Sequence, residues 1–254
     1  MQLLWFIKTL ILSWNAAHAE PIYLKTPTFD SRPKYYMENK KVIGLCIDLL
    51  NEIEKLEPTL KFVGMDEQLS IIEVERQVIN GSADVFLCNA DTELRRQKMR
   101  MITTPIFQAQ SVLVAKVEDN VKIKSLKDLQ NLYPNNLVLS WKGTEQNTWI
   151  LQKTNVMTDQ GVNGVNSMDR LFQMLLNNRG RFLFVQRYTA INTIKNLNIE
   201  KKVKILLPPL IKSNRYIWVS RKLPENIALL LEKAIINLKR KGILSALAKK
   251  YNIE

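Results

Sequence analysis

The chain has 254 residues, with 37 Lys and Arg against 24 Asp and Glu, a formal charge of +13, one His, two Cys and 46% hydrophobic residues. That apolar share can bury a core over one or two domains and excludes bulk disorder, while eight Gly and nine Pro exclude collagen-like and low-complexity chains. Two cysteines exclude a disulfide-rich scaffold and a four-cysteine zinc site.

Residues 1–19 carry an apolar run interrupted by Lys8 and end in Ala17-His18-Ala19, just before Glu20-Pro21. The run is shorter than the roughly 20 residues that span a bilayer, and the small-x-small ending reads as a signal peptide cleaved after Ala19, with a periplasmic destination. Cleavage would remove His18 and leave 235 residues without histidine. A histidine general base, Ser-His-Asp or Cys-His chemistry and imidazole metal sites are then excluded, and neither a cofactor nor a metal is expected. The basic runs Lys201-Lys202, Lys239-Arg240-Lys241 and Lys249-Lys250 are short and scattered, which argues against nucleic acid and for attraction to an anionic membrane surface. Cys46 and Cys88 would meet an oxidising compartment. They either form a bridge closing a loop of about 42 residues, worth roughly 4 kcal/mol in the chain-entropy model, or stay as two buried thiols.

In chain order, Ile22–Leu24 reads as a short strand, followed by a turn-rich stretch to Pro33. Gly44 leads into a helix with Leu49, Leu50, Ile53 and Leu56 on one face, ended by Pro58. Leu60–Val63 is a strand, and Ile71, Ile72, Val74, Val78 and Ile79 give a second helix closed by Gly81. Ala83–Cys88 follows as an apolar strand broken only by Asp84, so this β-α-β-α-β order predicts a parallel sheet. Further on, Ser125 to Asp128 is a capping box, Leu137–Leu139 a strand and Glu145–Lys153 a helix. Ser167 is expected to cap a helix through Leu176; then come a strand at Arg181–Val185, a helix at Tyr188–Asn196 and separate strands at Val203–Leu207 and Tyr216–Ser220. Helices at Pro224–Lys241 and Ile243–Tyr251 close the chain. The expected class is α/β, in two small units without a Gly/Ser linker.

No GxGxxG follows a strand; no Walker A, EF-hand, HExxH or GxSxG pattern occurs. Four blocks, in order, carry a resemblance instead. They are Pro33 to Gly44 running into Ile47-Asp48-Leu49; Gly81-Ser82-Ala83-Asp84 with Thr92-Glu93-Leu94-Arg95 and Pro105; Ser125-Leu126-Lys127-Asp128-Leu129 with Trp141-Lys142-Gly143-Thr144; and Leu238 to Gly242 with Lys249-Lys250-Tyr251. Together they resemble the family 3 periplasmic solute-binding proteins, the amino-acid-binding type that serve ABC importers.

The resemblance implies a type II periplasmic-binding-protein fold with two α/β lobes joined by two crossovers. Lobe 1 would hold 20–109 plus 214–254, lobe 2 would hold 110–213, and ligand would sit between them in a monomer. It implies that Arg95 pairs with a ligand carboxylate, for which a planar guanidinium offers two parallel donors; Arg96 beside it is the alternative in register. Thr144 matches a second-lobe contact to the same carboxylate, Asn89 is a candidate donor, and Tyr36 and Trp141, with Tyr35 and Phe107, are candidate walls. Amino-acid binders of this type carry an acid near Val185 to Thr189 for the ligand ammonium, yet none stands between Gly180 and Ile199. An ordinary α-amino acid is therefore disfavoured, and Arg187 could attract a second anionic group. The leading expectation is a non-catalytic binding protein for a small carboxylate-bearing solute, partnered by a membrane permease. The alternatives are a dehydratase of prephenate-like substrates, with Glu145 or Asp91 as its acid, and a sensing module for a membrane receptor.

Overall fold

A computed structural model of the chain describes residues 20–66, 68–153, 158–159 and 168–253. Residues 1–19, expected as a signal peptide, and the expected Ser167 cap lie outside the described residues. The first half of the chain forms β1 (Ile22–Lys25), β2 (Tyr36–Glu38), β3 (Lys41–Ile43), α1 (Leu45–Leu56), β4 (Leu60–Val63), α2 (Ile71–Asn80), β5 (Val85–Ala90), α3 (Glu93–Lys98) and the long β6 (Arg100–Lys116). There follow α4 (Leu126–Gln130), β7 (Val138–Leu139), α5 (Glu145–Lys153), β8 (Thr158–Asp159), α6 (Met168–Leu176), β9 (Phe182–Gln186), α7 (Arg187–Asn196), the long β10 (Val203–Val219), α8 (Glu225–Arg240) and α9 (Ile243–Lys250).

Local chemistry sets the helix ends. The Ser70 hydroxyl accepts from Glu73 N–H at 3.1 Å and starts α2, and Gly81 takes a left-handed φ of 78°, ending the helix where its sequence signal stands. Ser125 and Asp128 complete a reciprocal capping box on α4, and Thr92 caps α3 by accepting from Arg95 N–H.

The parallel-sheet expectation holds for β1 and β4, which pair in parallel from Ile22–Leu60 to Lys25–Val63. β5 departs from it by pairing antiparallel with β10. The Asp84 carboxylate accepts from Lys25 N–H at 2.8 Å, occupying a donor that a β1–β5 ladder would use. The two strands expected in 203–220 are a single strand, β10. Pro208 and Pro209 lack N–H groups and sit within a register break between Leu206 and Ile211, which lets the strand continue past them.

β6 and β10 pair antiparallel from Arg100–Val219 to Lys116–Val203 and serve two environments. Near Arg100 they lie beside β5. Near Lys116 they join β9, β7 and β8 in the order β5-β10-β6-β9-β7-β8. The first environment is one core, in which Leu49 and Ile53 of α1, Val74 and Val78 of α2, and Leu231, Ile235 and Leu238 of α8 enclose Val85, Phe86 and Trp218. In the second, alternate strand residues face opposite ways, as the pleat requires. Val114, Leu139, Leu183 and Val185 pack with α6 and α7, whereas Leu113, Ala115, Val138, Phe182 and Phe184 pack with Leu129 of α4 and Ile150 of α5. Helices therefore cover both sheet faces there.

Cys46 of α1 and Cys88 of β5 are joined by a disulfide, with Cα atoms 6.5 Å apart. Thiol titration of the denatured, unreduced mature protein should find no free thiol. The double variant Cys46→Ala/Cys88→Ala should lose roughly 4 kcal/mol in denaturant unfolding; reactive thiols or an unchanged midpoint would contradict the bridge.

Candidate binding cleft

Where the two environments meet, a cavity is walled from both sides. Phe29, Ser31, Lys34, Ile71, Asn89, Ala90 and Arg95 line one side, and Trp141, Thr144, Glu145, Gln146, Met168, Phe184, Val185, Gln186 and Thr189 line the other. The space within it open to the centre of a water-sized sphere is about 30 Å³. The walls touch nearby: a Cβ on Gly143, whose φ is +82°, would lie 2.9 Å from Ile72 Cγ1 of α2. This close approach is available to glycine alone at that backbone angle.

Arg95 is buried on α3. Its Nε donates to Glu75 Oε1 at 3.0 Å and its Nη1 to Ala90 O at 2.9 Å, with the guanidinium 5.0 Å from the Phe86 ring centre. The side chains of Arg95 and Glu75 are only 3% and 11% exposed, so this is a buried ion pair reaching across from α2. A second pair forms on the opposite side. Arg215 of β10, fully buried, donates from Nη2 to Glu145 Oε2 at 2.9 Å and from Nη1 to Ser213 Oγ at 2.8 Å, and Ser213 Oγ donates to the same Glu145 oxygen. This pair ties the start of α5 to β10. The neighbouring Gln146 donates to Ser111 Oγ of β6 at 2.6 Å, so α5 is anchored to both long strands.

Lys34 is the third buried cation, 2% exposed. Its segment is fixed by α1, whose first free N–H groups, Leu45 and Cys46, donate to the carbonyls of Pro33 and Lys34 at 3.0 and 3.1 Å. The contact is so close that a Cβ on Gly44 would sit 2.4 Å from Lys34 O. Lys34 Nζ donates to Cys88 O at 3.5 Å and lies 5.0 Å from the Phe29 ring centre. Burial, with help from Arg215 and Arg95, pushes its amine well below the usual lysine range, against a smaller pull from Glu145.

Of the residues singled out in the sequence, Arg95, Asn89, Trp141 and Thr144 line the cavity; Tyr36 and Arg187 do not. Tyr36 is half-buried on β2 with the Arg32 guanidinium 4.3 Å over its ring. Thr144 turns inward on its own loop, its hydroxyl donating to Trp141 O at 2.6 Å while accepting from Asn147 N–H. Asn89 likewise donates to Leu87 O at 2.7 Å. Tyr35 and Phe107 belong to the core. Arg96 is half-exposed and paired with Asp91 and Glu93. Sequence reading missed Lys34, Glu75, Gln186, Thr189 and Arg215. The signal for Lys34 was a lysine set between Pro33 and Tyr35 where the family block carries an aromatic residue. The ion-pair partners of the two arginines left no local signal.

A cleft between two α/β units that share two long strands, lined by buried charges and rings, defines a ligand-binding protein of the type II periplasmic-binding-protein fold. The chain belongs to the bacterial extracellular solute-binding proteins, family 3, whose description matches residues 28–254. No curated sequence matches it at a significant level. Among solved structures, it is similar to an ancestral arginine-binding protein bound to arginine, at 21% identity and TM-score 0.75, over 90% of this chain and 97% of that one. It is similar also to a putative binding component of an ABC transporter from Wolinella succinogenes DSM 1740 complexed with lysine (16% identity, TM-score 0.76, 91% and 96% covered). A third is the GluR0 ligand-binding core from Nostoc punctiforme in complex with L-glutamate (19%, 0.71, 90% and 98%). At these identities the likeness establishes the fold. Among the described residues no helix is long and apolar enough to cross a membrane, and no group of three His, Cys, Asp or Glu is placed to hold a metal ion.

The buried pair changes what an Arg95 substitution should do. Arg95→Met strands the Glu75 carboxylate and should destabilise the ligand-free protein by about 3 kcal/mol. Glu75→Gln/Arg95→Met should recover at least half of that loss, whereas additive losses in denaturant unfolding would contradict the pairing. Lys34 gives a pH signature. Because its folded value lies below the unfolded 10.5, the unfolded chain holds more protons between the two values, so stability rises with pH across that window. Wild type should gain stability relative to Lys34→Met as pH approaches 10.5; a difference that stays flat would contradict the buried amine.

Proposed function

We propose that this chain is an exported, non-catalytic binding protein that captures a small carboxylate-bearing solute between two lobes and delivers it to the membrane permease of an ABC importer. The lobes are 20–109 plus 214–254, and 110–213, with residues 1–19 as the cleaved export signal. The observation that carries the reading is the cavity itself, which takes walls from both units and buried cations, Lys34 and Arg95, from one of them. Three similar structures hold arginine, lysine or glutamate, each a carboxylate-bearing solute.

The mechanism is closure. β6 and β10 are the continuous strands that pass between the lobes, and their registers shift near Ile211 and Arg215, where a bend costs least pairing. A ligand that touches Lys34 or Arg95 on one side and Trp141, Gln186 or Thr189 on the other binds the closed state better than the open one. By that difference alone it shifts the population towards closure. Each acid considered for a dehydratase is engaged through one oxygen: Glu145 Oε2 accepts from Arg215 and Ser213, and Asp91 Oδ2 accepts from Arg96, while Asp91 Oδ1 has no hydrogen-bond partner among the described residues.

The test is a thermal-shift screen of the mature protein over amino acids, dicarboxylates and aromatic acids, each beside its amide, followed by small-angle scattering. At a concentration about 100 times Kd a ligand adds about 2.7 kcal/mol, a shift of several degrees for a chain of this size. At least one acid should give that shift and a smaller radius of gyration while its amide gives neither. Equal shifts from the amides, or no change in shape on binding, would contradict the reading.

A further inference from the structure

The charges around the cavity do not balance, and the imbalance specifies the ligand. Arg95 is matched by Glu75, and Arg215 by Glu145. Among the described residues Lys34 has no carboxylate within ion-pair distance; its recorded contacts are one carbonyl at the limit of hydrogen-bond length and one ring. An ammonium carries three donors, so most of its capacity in the cavity is unused. The two ion pairs cancel, and Lys34 in its protonated form leaves the cleft with one positive charge, a form that an anion bound beside it would stabilise against the cost of burial.

Among the described residues the opposite wall offers a cation no unpaired carboxylate. Glu145, the carboxylate that lines the cavity, is held by Arg215 and Ser213; Gln186 is neutral. Burial, and to a smaller extent the charge of Asp169, raises the Asp30 carboxyl above its usual range against the pull of Arg32, and neither aspartate lines the cavity. A ligand ammonium would therefore be buried beside Lys34 and Arg95 without a counter-charge, which is costly in a low-dielectric site. What the second wall does supply is Thr189, a residue 2% exposed whose hydroxyl has no hydrogen-bond partner among the described residues. Such a group is satisfied by a neutral oxygen on the ligand.

We propose that the cleft selects a short monoanionic acid without an α-ammonium group, a 2-oxo or 2-hydroxy carboxylate, with its carboxylate on Lys34 and its second oxygen at Thr189. This rests on the carboxylate-binding reading and narrows it: the ligand's charge is set by Lys34, the cation that neither arginine pair neutralises.

The experiment uses the mature chain and matched pairs that differ only at the second carbon: glyoxylate with glycine, pyruvate and L-lactate with alanine, 3-methyl-2-oxobutanoate with valine. Calorimetry should show an oxo or hydroxy acid binding at least tenfold more tightly than its amino-acid counterpart. Lys34→Met should weaken that binding at least tenfold while leaving the ligand-free melting temperature unchanged or raised, since a buried amine is exchanged for an apolar chain of similar length. Thr189→Val should weaken pyruvate or lactate but not propionate, which lacks the second oxygen. Amino acids binding as tightly as their oxo counterparts, or Lys34→Met binding like wild type, would overturn this inference and leave the carboxylate-binding reading standing. No response to any acid of either kind would overturn that reading and this inference with it.

Discussion

Among the described residues three basic side chains are buried around one cleft, and the energetic cost of keeping them there shapes the structure around it. A charge removed from water must be paired, hydrogen-bonded or neutralised. The two arginines take carboxylates from other elements, Glu75 from α2 and Glu145 from α5, so each ion pair also fixes the position of a helix. Lys34 takes none, and it is held instead by its backbone. The N-terminus of α1 binds the carbonyls of Pro33 and Lys34, Gly44 permits the close approach, and the Cys46–Cys88 bridge joins α1 to the strand whose carbonyl Lys34 reaches. Every one of these contacts keeps an amine in a place that it would leave if free to move.

The same arrangement explains how binding could be coupled to shape. Each unit has its own core, and the long strands β6 and β10 run through both. The Arg215–Glu145 pair lies where β10 passes from one to the other, so that it joins a connecting strand to the wall of the cavity. An anion entering against Lys34 would supply the missing counter-charge at the one position where all these elements converge. Its binding energy would then be spent on bringing the walls together, with no bond made or broken.

Much of the fold was legible because its signals are local. Gly81 marks the end of α2 and Ser125 with Asp128 the start of α4, and Phe182 to Val185 is a continuous apolar run, as a strand buried on both faces requires. The long strands were not legible. β6 went unread because Thr103-Thr104-Pro105 and Gln108 to Ser111 break its apolar run where it passes between environments, and β10 was divided at Pro208-Pro209 for the same reason. At the cleft, Arg95, Asn89, Trp141 and Thr144 were found through motif order. The electrostatics were hidden: Glu75 lies 20 residues before Arg95, and Glu145 lies 70 before Arg215. Such pairings exist only in the folded chain, so a reading that assigned Arg95 to the ligand could not see that Glu75 pairs with it too.

The most direct measurement is a crystal structure of the mature protein with its tightest-binding acid. The account predicts a ligand carboxylate oxygen about 2.7–3.2 Å from Lys34 Nζ, enclosed by both walls, with the Arg95–Glu75 and Arg215–Glu145 pairs intact. A ligand whose carboxylate sits on Arg95 with Glu75 displaced, or whose ammonium group occupies the cavity beside an unengaged Lys34, would contradict it.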